Sequence, residues 1–417
     1  MSCAPVSPVP PDRRVASFGE HVQELRRARG LTQKDLAEIL KRSVSWVSQV
    51  ERDELPVTET PMLQRLAAAL GVPARELVEI VLGEEAGEEE RQRPYVEVLR
   101  LSLAGHPAPE AVLGKTAGRL AADVQVRLRA QTARAWELVH ASRYEELGPL
   151  PADLIVKLEL ASRTAGKKDQ HEALELLCDA YQVAAAMLVK VGDNGAGWIA
   201  ADRAIGAGER CEDRCLVMAA EYRMAHTFVN ANERPMALRV LRQAIDAAKS
   251  VENAYDPGLL SLTGACALLL AVLEAREGNG RDAERHLRTA SFLATRLGGD
   301  ENHYGTEFGP TNVAVHAVAV AVELGNAGEA LQRASKVDAS PLSPERQARF
   351  LVDVARAHAQ RRMLAQAVST LEQASAIAPE EVGELRIVRE LLADLEHYAG
   401  RRRVPRLGQL RQHVTRS

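Results

Sequence analysis

Apolar residues recur at helical spacing along almost the whole chain, with polar residues between them. In the first run, Phe18, Val22 and Leu25 fall on one face of a helix. Further runs follow at short intervals, and residues typical of helix ends flank them: Ser17, Gly30, Thr32, Ser43, Thr60 and Gly71. The pattern therefore predicts five short helices in residues 15–83, the fifth around residues 77–81.

The helical pattern resumes after Pro94 and continues to about residue 400, where it carries an internal repeat. Apolar and small residues of segment 348–379 occupy the positions that two paired helices need: Leu351, Val354, Ala355, His358, Ala367, Leu371, Ala374 and Pro379. Among these, only His358 departs, since an aromatic residue is usual there. The spacing is that of the tetratricopeptide repeat, a helix-turn-helix unit of about 34 residues.

Three earlier segments fit the same repeat more loosely. The anchoring alanines are Ala237, Ala283, Ala330 and Ala367, which lie 46, 47 and 37 residues apart. Because alanine at a crossing point lets two helices approach closely, these positions predict stacked helix pairs. Spacings above about 34 residues predict longer helices or loops in some of the pairs.

The composition agrees with an all-helical chain in a reducing compartment. Aromatic residues make up only 4% of the chain, and its apolar residues are mainly Ala, Leu and Val, which suit helix packing. The cysteines are odd in number and scattered: Cys3, Cys178, Cys211, Cys215 and Cys266. No signal-peptide pattern begins the chain, and the apolar runs 262–273 and 313–322 are too short to span a bilayer. We expect a cytoplasmic protein without membrane insertion.

Charge is segregated along the chain, although its net charge is only −4. Residues 13–50 are basic, residues 84–90 are rich in Glu, and the last residues carry Arg without any acid. With the helical pattern, this predicts a disordered arm at 1–14, a helix-turn-helix domain at 15–83, an acidic linker at 84–94, a repeat domain at 95–400 and a basic tail at 401–417. We expect the tail to be an unstructured, solubilising end; contact with DNA or an acidic partner are the alternatives.

The N-terminal helices resemble the phage-repressor (Cro/C1, or XRE) helix-turn-helix family. The resemblance rests on LTQKDLAEILKRSVSWVSQVERDELP followed by LQRLAAALGV, and it covers residues 17–82. It implies a five-helix, lambda-repressor-like domain whose second helix crosses the DNA backbone and whose third lies in the major groove. The expected fold class is therefore all-α, with this domain followed by a tetratricopeptide-type α-solenoid.

The resemblance also implies which residues contact double-stranded DNA. On the family pattern Val44, Ser45, Ser48 and Gln49 face the DNA, where Gln49 suits adenine and Val44 a thymine methyl group. Further contacts are expected where helices two and three begin: Thr32, Gln33, Lys41, Arg42, Ser43 and Trp46. A partly buried packing role is the alternative for Trp46.

Other positions of this segment are expected to hold the domain together. Val47 and Val50 have core spacing, and the resemblance pairs Arg26 with Glu51. Lys41 departs from the family pattern, which usually has Gly in this turn. The whole module is close to neutral, so two modules acting together are expected, in a homodimer on a site with two halves.

Polar residues at groove positions of the repeats suggest a second site. Tyr222, His226 and Asn230 share one helix face at i, i+4 and i+8. Later repeats place further polar residues at or beside inner positions: Asn312, His316, Arg349 and Arg356. In type and order of domains the chain resembles peptide-responsive regulators that join a helix-turn-helix domain to tetratricopeptide repeats. This resemblance implies a peptide or another small signalling ligand. The alternative is that these polar residues are ordinary solvated surface.

Residues 301–312 form a polar and aromatic segment between two repeats. The two interpretations are a lid over the ligand and an inter-repeat loop that caps the next helix. Cys211, Cys215 and His226 do not make a zinc motif, and their thiols are expected to be structural.

The sequence as a whole predicts a transcriptional regulator and no enzyme, with no cofactor and no metal. Its DNA binding is expected to respond to a ligand, preferably a peptide, in the repeat domain. The alternative is a repeat domain that serves as a protein-docking scaffold, for which a broad apolar patch is expected.

Overall fold

The computed structural model divides into two compact units, Met1–Gln92 and Arg93–Ser417. It describes residues 18–40, 42–52, 60–72, 94–104, 109, 122–249, 256–399 and 404–416. Within these ranges all regular structure is helical. The predicted all-α fold class is thereby confirmed.

The N-terminal unit contains four described helices: α1 (Phe18–Ala28), α2 (Gln33–Leu40), α3 (Val44–Glu51) and α4 (Thr60–Leu70). They agree with the first four helices that the hydrophobic pattern predicts. The predicted arm at 1–14, the fifth helix around 77–81 and Lys41 lie outside the described residues, as does nearly all of the acidic linker.

Capping residues set the ends of these helices. Asp35 N–H donates to Thr32 Oγ1 at 3.2 Å, while Thr32 N–H donates to Asp35 Oδ2 at 2.8 Å, which is a reciprocal cap at the start of α2. Ser43 Oγ accepts from Trp46 N–H at 3.1 Å and caps α3. Gly30 follows α1 with a φ of +69°, a conformation that favours glycine.

The core of this unit is small and apolar. Its buried side chains include Val47 and Val50, each 1% exposed, which confirms the prediction for both. The rest of the buried apolar set is Val22, Leu36, Ala37, Leu40, Met62, Leu66, Ala67, Ala69 and Leu70. Helix α1 approaches α3 so closely that a Cβ on Gly19 would lie 2.6 Å from the carbonyl oxygen of Val50.

The second unit is a succession of helices. In chain order they are α5 (Pro94–Ala104), α6 (Ala122–His140), α7 (Tyr144–Leu147), α8 (Leu150–Thr164), α9 (Lys167–Lys190), α10 (Asn194–Arg210), α11 (Arg214–Asn230), α12 (Arg234–Lys249), α13 (Pro257–Arg276), α14 (Gly280–Leu297), α15 (Pro310–Glu323), α16 (Ala327–Ala334), α17 (Pro344–Gln360), α18 (Leu364–Ile377), α19 (Pro379–Glu384), α20 (Arg386–Ala399) and α21 (Leu407–Arg416).

These helices stack as a solenoid. From α8 to α18, each helix packs against the next one in the chain, and α9, α11, α13, α15 and α17 also form a contacting row of their own. The anchoring alanines of the predicted repeats, Ala237, Ala283, Ala330 and Ala367, are all 0% exposed. Alanine at these positions lets the helices approach closely, as the sequence pattern predicts.

The two ends of the solenoid meet. Helix α17 contacts α6, and the short helix α19 reaches α7, where Tyr144 Oη donates to Glu381 Oε2 at 2.5 Å. Tyr144 is 1% exposed and Glu381 is 0% exposed. The repeat unit therefore closes on itself through contacts between its early and late helices.

One described helix, α13 (Pro257–Arg276), is long and apolar enough to cross a membrane by length and composition. However, 89% of its most apolar window is buried inside the unit. Its apolar character is thus explained by its position between α12, α14 and α15 in the core.

The basic tail differs from the expectation. Residues 407–416 form helix α21 and do not remain unstructured, because Leu407, Leu410 and Val414 lie on one face at i, i+3 and i+7. All three are buried in the core that α17, α18 and α20 share. The arginines make charge the most obvious feature of this segment, so the sequence prediction did not include the apolar helix face.

Candidate functional site

Helix α3 presents a polar face away from its core. Val44 is 45% exposed, and Ser45 and Gln49 are exposed as well, whereas Val47 and Val50 point inward. Ser48 is half-buried. The residues that the family pattern directs toward DNA therefore lie on one accessible face of one helix.

Glu51, a buried residue at the end of α3, fixes the position of this helix. Arg26 Nε and Nη2 donate to its two carboxylate oxygens at 2.5 and 3.0 Å, which confirms the predicted pair. Gln33 Nε2 donates to Glu51 Oε2 at 2.9 Å. Burial alone would raise the pKa of Glu51, but the hydrogen bonds from Arg26 and Gln33 outweigh it and hold the pKa below its ordinary value. One carboxylate thereby joins α1, α2 and α3.

Two residues that were expected to contact phosphate, Thr32 and Gln33, form hydrogen bonds within the domain instead. The backbone N–H of Thr32 donates to Asp35, which also accepts the Thr32 hydroxyl at 2.7 Å. The Gln33 amide is bound to Glu51. The groups at the start of α2 therefore bond to each other, and the Asp35 carboxylate occupies the place next to them.

Arg42 and Trp46 lie together at the start of α3. The Arg42 guanidinium lies 5.6 Å from the centre of the Trp46 ring, which is half-buried. Arg42 and Ser43 are exposed. The structure therefore gives Trp46 a packing contact with the arginine that the sequence assigned to phosphate.

A cavity of about 70 Å³ lies where the two ends of the solenoid meet. Residues of α6, α9, α11 and α17 line it, together with Gly305: Trp136, Val139, His140, Ala185, Ala186, Val189, Lys190, Arg223, His226, Asn230, Glu345, Arg346 and Arg349. We refer to it as the central cavity.

Positive charge predominates in the wall of the central cavity. Lys190, Arg223, Arg346 and Arg349 line it beside a single carboxylate, Glu345. Lys190 Nζ lies 2.7 Å from Glu345 Oε1 and 2.7 Å from Glu381 Oε1, and Arg349 Nε lies 2.6 Å from the same Glu381 oxygen. These two cations are therefore compensated within the wall.

The positive charges of Arg223 and Arg346 are balanced less completely by neighbouring carboxylates. Arg223 Nη2 donates to the carbonyl oxygens of Gly305 and Tyr304 at 2.9 and 3.4 Å, and no ion pair joins it to a carboxylate of the described chain. Arg346 Nε lies 3.5 Å from Glu307 Oε2. Among the described residues, no hydrogen-bond acceptor is found for the buried Nε atoms of Arg223 and Arg346.

His226 lies in the same wall as a neutral base. Its Nε2 atom is buried and also lacks a hydrogen-bond partner among the described residues. Burial lowers the pKa of His226 well below its ordinary value, and the positive charges of Arg223 and Arg346 lower it further. The central cavity is therefore an electropositive space with polar atoms free to bind a ligand.

The structure brings some of the predicted ligand residues together and not others. His226, Asn230 and Arg349 line the central cavity. Tyr222 does not, because it is 4% exposed in the core, with its ring edge-on to His226 at a centroid distance of 4.6 Å.

The remaining predicted ligand residues form internal bonds away from the cavity. Asn312 is 1% exposed and donates to the carbonyl oxygen of Glu307 at 3.0 Å, while the His316 ring bonds to the Asn312 carbonyl at 2.9 Å. Arg356 lies 3.2 Å from Glu323 and 3.0 Å from Asp353. Their polarity is thus used to satisfy buried groups, a role that repeat spacing does not distinguish from ligand binding.

Most residues of the central cavity were missed by sequence reasoning. Helix α6 contributes Trp136 and His140, and α9 contributes Lys190. Glu345 and Arg346 come from α17, far along the chain. The repeat pattern places residues within a repeat but does not predict which distant repeats meet. The closure of the solenoid is therefore what assembles the cavity.

The polar segment 301–312 has a structural role in this state. Phe308 is fully buried against Gly264, where a Cβ would lie 2.0 Å from the Phe308 ring, and Thr306 shares a 2.7 Å hydrogen bond with Ser261. From this segment, Gly305 lines the central cavity. The segment is therefore an inter-repeat connection that also forms one side of the cavity wall.

The cysteine arrangement differs from the one considered in the sequence. Within the described part of the chain, no hydrogen bond joins Cys211 to Cys215 or His226, and its Sγ lies 3.4 Å from His171 Nδ1 instead. Cys178, Cys211, Cys215 and Cys266 are all buried free thiols. Burial raises the pKa of Cys211 to about 11, and Glu175 and Asp213 contribute.

Comparison with known proteins supports the N-terminal assignment. Residues 17–80 match the family model described as a helix-turn-helix domain. This domain supports a DNA-binding regulator as the class of the protein. The match covers only the N-terminal part of the chain and leaves the repeat unit unassigned.

No curated protein matches the chain. The crystal structure of Bacillus thuringiensis PlcR in complex with the peptide PapR7 and DNA is similar to it, with 17% identity over 68% of this chain and 96% of that chain. The TM-score of 0.27 is too low for this similarity to carry any argument about function.

Proposed function

We propose that this protein is a sequence-specific transcriptional regulator of the XRE type, in which α3 is the recognition helix. The observation that carries the proposal is the exposed face of Val44, Ser45 and Gln49 on a helix that the buried Glu51 anchors at its C-terminal end. A helix held in this way presents fixed side chains to base edges in the major groove. The family match of residues 17–80 supports the same role.

In this proposal the base contacts come from α3 and the phosphate contacts from its start. Gln49 bonds adenine through its amide, and Val44 contacts a thymine methyl group. Arg42 supplies a phosphate contact, with Ser43 and Ser45 adding hydroxyl groups. Thr32 and Gln33 act by holding α2 in place, because their side chains are engaged by Asp35 and Glu51.

The proposal includes a homodimer on a site with two halves. One module of this size reads few base pairs, and two modules together raise both affinity and specificity. The repeat unit, of tetratricopeptide type, would supply the dimer interface. Its closed solenoid gives each copy a rigid body on which to form that interface.

The central cavity is the proposed effector site, and its charge indicates an effector with an acidic group. Arg223 and Arg346 offer buried donors without a full carboxylate partner. A carboxylate or phosphate would accept from both and compensate their charge. A scaffold for protein docking would instead present a broad apolar patch, whereas five of the fourteen residues that line this wall are charged.

The size of the cavity restricts how a peptide effector would bind. A space of about 70 Å³ does not accommodate several residues of extended chain. A peptide would therefore bind with one acidic end in the cavity, or to a form in which the contacts of Glu381 with Tyr144 and Lys190 have opened. Either case gives the effector a different affinity for open and closed solenoids, which is what a population shift requires.

The proposal is tested by binding the full chain to genomic DNA fragments at several salt concentrations and sequencing the retained fragments. We expect a palindromic site that is lost when Ser45 and Gln49 are both replaced by Ala. Ser291→Ala with Gln373→Ala, at exposed helix positions of the repeat unit, is the matched control. Retention without sequence preference, unchanged by the α3 substitutions, would contradict the proposal.

A further inference from the structure

Helices α9 and α10 bring three metal-binding side chains together at the end opposite the central cavity. His171 and Glu175 lie one turn apart on α9, and Cys211 is the residue that ends α10. Their donor atoms all lie within 4.8 Å of one another. Along α9, His171 is roughly 28 Å from Lys190, so this cluster is separate from the cavity.

The spacing of the donor atoms fits one tetrahedral ion. His171 Nε2 lies 3.7 Å from Cys211 Sγ and 3.3 Å from Glu175 Oε1. Zinc bonds of about 2.0–2.3 Å at tetrahedral angles place neighbouring donors about 3.3–3.6 Å apart. These two distances differ from that range by no more than a few tenths of an ångström, and the third pair, Cys211 Sγ and a Glu175 oxygen, lies within 4.8 Å.

The local charge also favours a cation. Glu175 and Asp213 place negative charge near the Cys211 sulfur. A bound cation is attracted by this charge and stabilises the thiolate form of Cys211.

We propose that His171, Glu175 and Cys211 form a binding site for a divalent transition-metal ion, preferably Zn²⁺. The ligands are His171 Nε2, one Glu175 oxygen and the Cys211 thiolate, and the thiol proton passes to solvent on binding. His171 is exposed and Glu175 is half-buried, which leaves the fourth position open to water. The ion joins α9 to α10 and so ties together two neighbouring helices of the solenoid.

The experiment uses Co²⁺ as a spectroscopic substitute for Zn²⁺, added to the chelator-treated full chain. We expect thiolate-to-cobalt absorption in the near ultraviolet and strong visible bands that saturate at one ion per chain. Zn²⁺ should abolish both by displacement. Cys211→Ser should remove the thiolate band, and His171→Gln should weaken binding at least tenfold.

Cys215→Ser is the matched control, because Cys215 is 4% exposed and Cys211 is 3% exposed, yet Cys215 Sγ lies 3.7 Å from Asp256 and outside the cluster. This variant should keep both bands. His171 is exposed, so His171→Gln is expected to fold, and circular dichroism checks the helix content. Absence of a thiolate band in the wild type, or its persistence in Cys211→Ser, overturns the proposal whatever the outcome for DNA binding.

Discussion

Tyr144 Oη donates a hydrogen bond to Glu381 Oε2 at 2.5 Å, although 237 residues separate the two in the chain. The same carboxylate accepts from Lys190 Nζ at 2.7 Å and from Arg349 Nε at 2.6 Å. Glu381 is wholly buried. One side chain near the end of the solenoid thus binds groups from its beginning and from α17, and these contacts close the wall of the central cavity.

Replacing Glu381 with Gln is expected to destabilise the repeat unit by about 3 kcal/mol, because Lys190 and Arg349 lose a buried counter-charge. The measurement is urea unfolding of the full chain followed by circular dichroism. Glu396→Gln is the control, since its ion pair with Arg411 is largely exposed and worth about 0–1 kcal/mol. Equal shifts for the two variants would show that the closure contributes no more than a surface pair.

The same carboxylate predicts how the closure responds to acid. Burial opposes the ionisation of Glu381, but Lys190 and Arg349 outweigh it and hold its pKa below the ordinary value. A lowered pKa means that the stabilisation is present above the unfolded pKa of about 4.3 and is lost as the pH falls through the folded one. We expect the Tm of the wild type to fall below about pH 4 more steeply than that of Glu381→Gln. Parallel curves would contradict this account.

The structural features that the sequence predicts are those that depend on neighbouring residues or on the repeat spacing. Ser43 caps α3 as predicted, and the alanines at Ala237 and Ala367 are buried because repeat spacing determines which side of a helix packs. Arg26 and Glu51 pair as the family pattern implies. These features need no knowledge of how distant helices meet.

The central cavity could not be predicted in the same way. Its wall combines His140 and Lys190 with Arg346, whose proximity follows from the curvature accumulated over several repeats. Arg356 has the same chemistry as Arg349 and lies two turns further along α17, yet it pairs with Glu323 outside the cavity. Residue type and helix face alone did not separate a cavity residue from a structural ion pair.

The charge of the central cavity predicts anion binding. Inorganic phosphate at roughly ten times its Kd should raise the Tm by about 2–4 °C over chloride of equal ionic strength. Arg223→Gln should lose that increment, because Arg223 has a buried Nε without an acceptor in the described structure. Acetate in a parallel series distinguishes a carboxylate preference from a phosphate preference.

Arg203→Gln is the control for this measurement. Arg203 also donates to a backbone carbonyl, that of Leu103 at 3.1 Å, and lies over the Tyr181 ring, but it does not line the cavity. It should retain the phosphate increment. An increment that survives in Arg223→Gln would mean that phosphate acts through general solvent effects and not through the cavity.

Two glycines are expected to respond in opposite ways to replacement by alanine, because Gly19 lies at the close contact between α1 and α3 and Gly206 has open space around it. Gly19→Ala would place a Cβ 2.6 Å from the Val50 carbonyl oxygen and should destabilise the N-terminal unit by about 1–3 kcal/mol. Gly206 lies inside α10 with nothing within 4 Å of the added Cβ, so Gly206→Ala should stabilise its unit by about 0.5–1 kcal/mol. Hydrogen exchange of the full chain, followed by mass spectrometry, reports each unit separately. Unchanged protection of α1 and α3 in Gly19→Ala would contradict the close approach.

The recognition helix predicts different consequences for Gln49 and Arg42. Gln49→Ala should cost about 1–3 kcal/mol on the selected site and relax the preference at one base pair, because an amide that reads adenine is lost. Arg42→Ala should weaken binding to all sequences alike and reduce the salt dependence by about one phosphate contact. Titrations of the selected and a scrambled duplex at several salt concentrations measure both effects. If Gln49→Ala weakened both duplexes equally, α3 would be contacting the DNA backbone, and the assignment of base recognition to this face would be wrong.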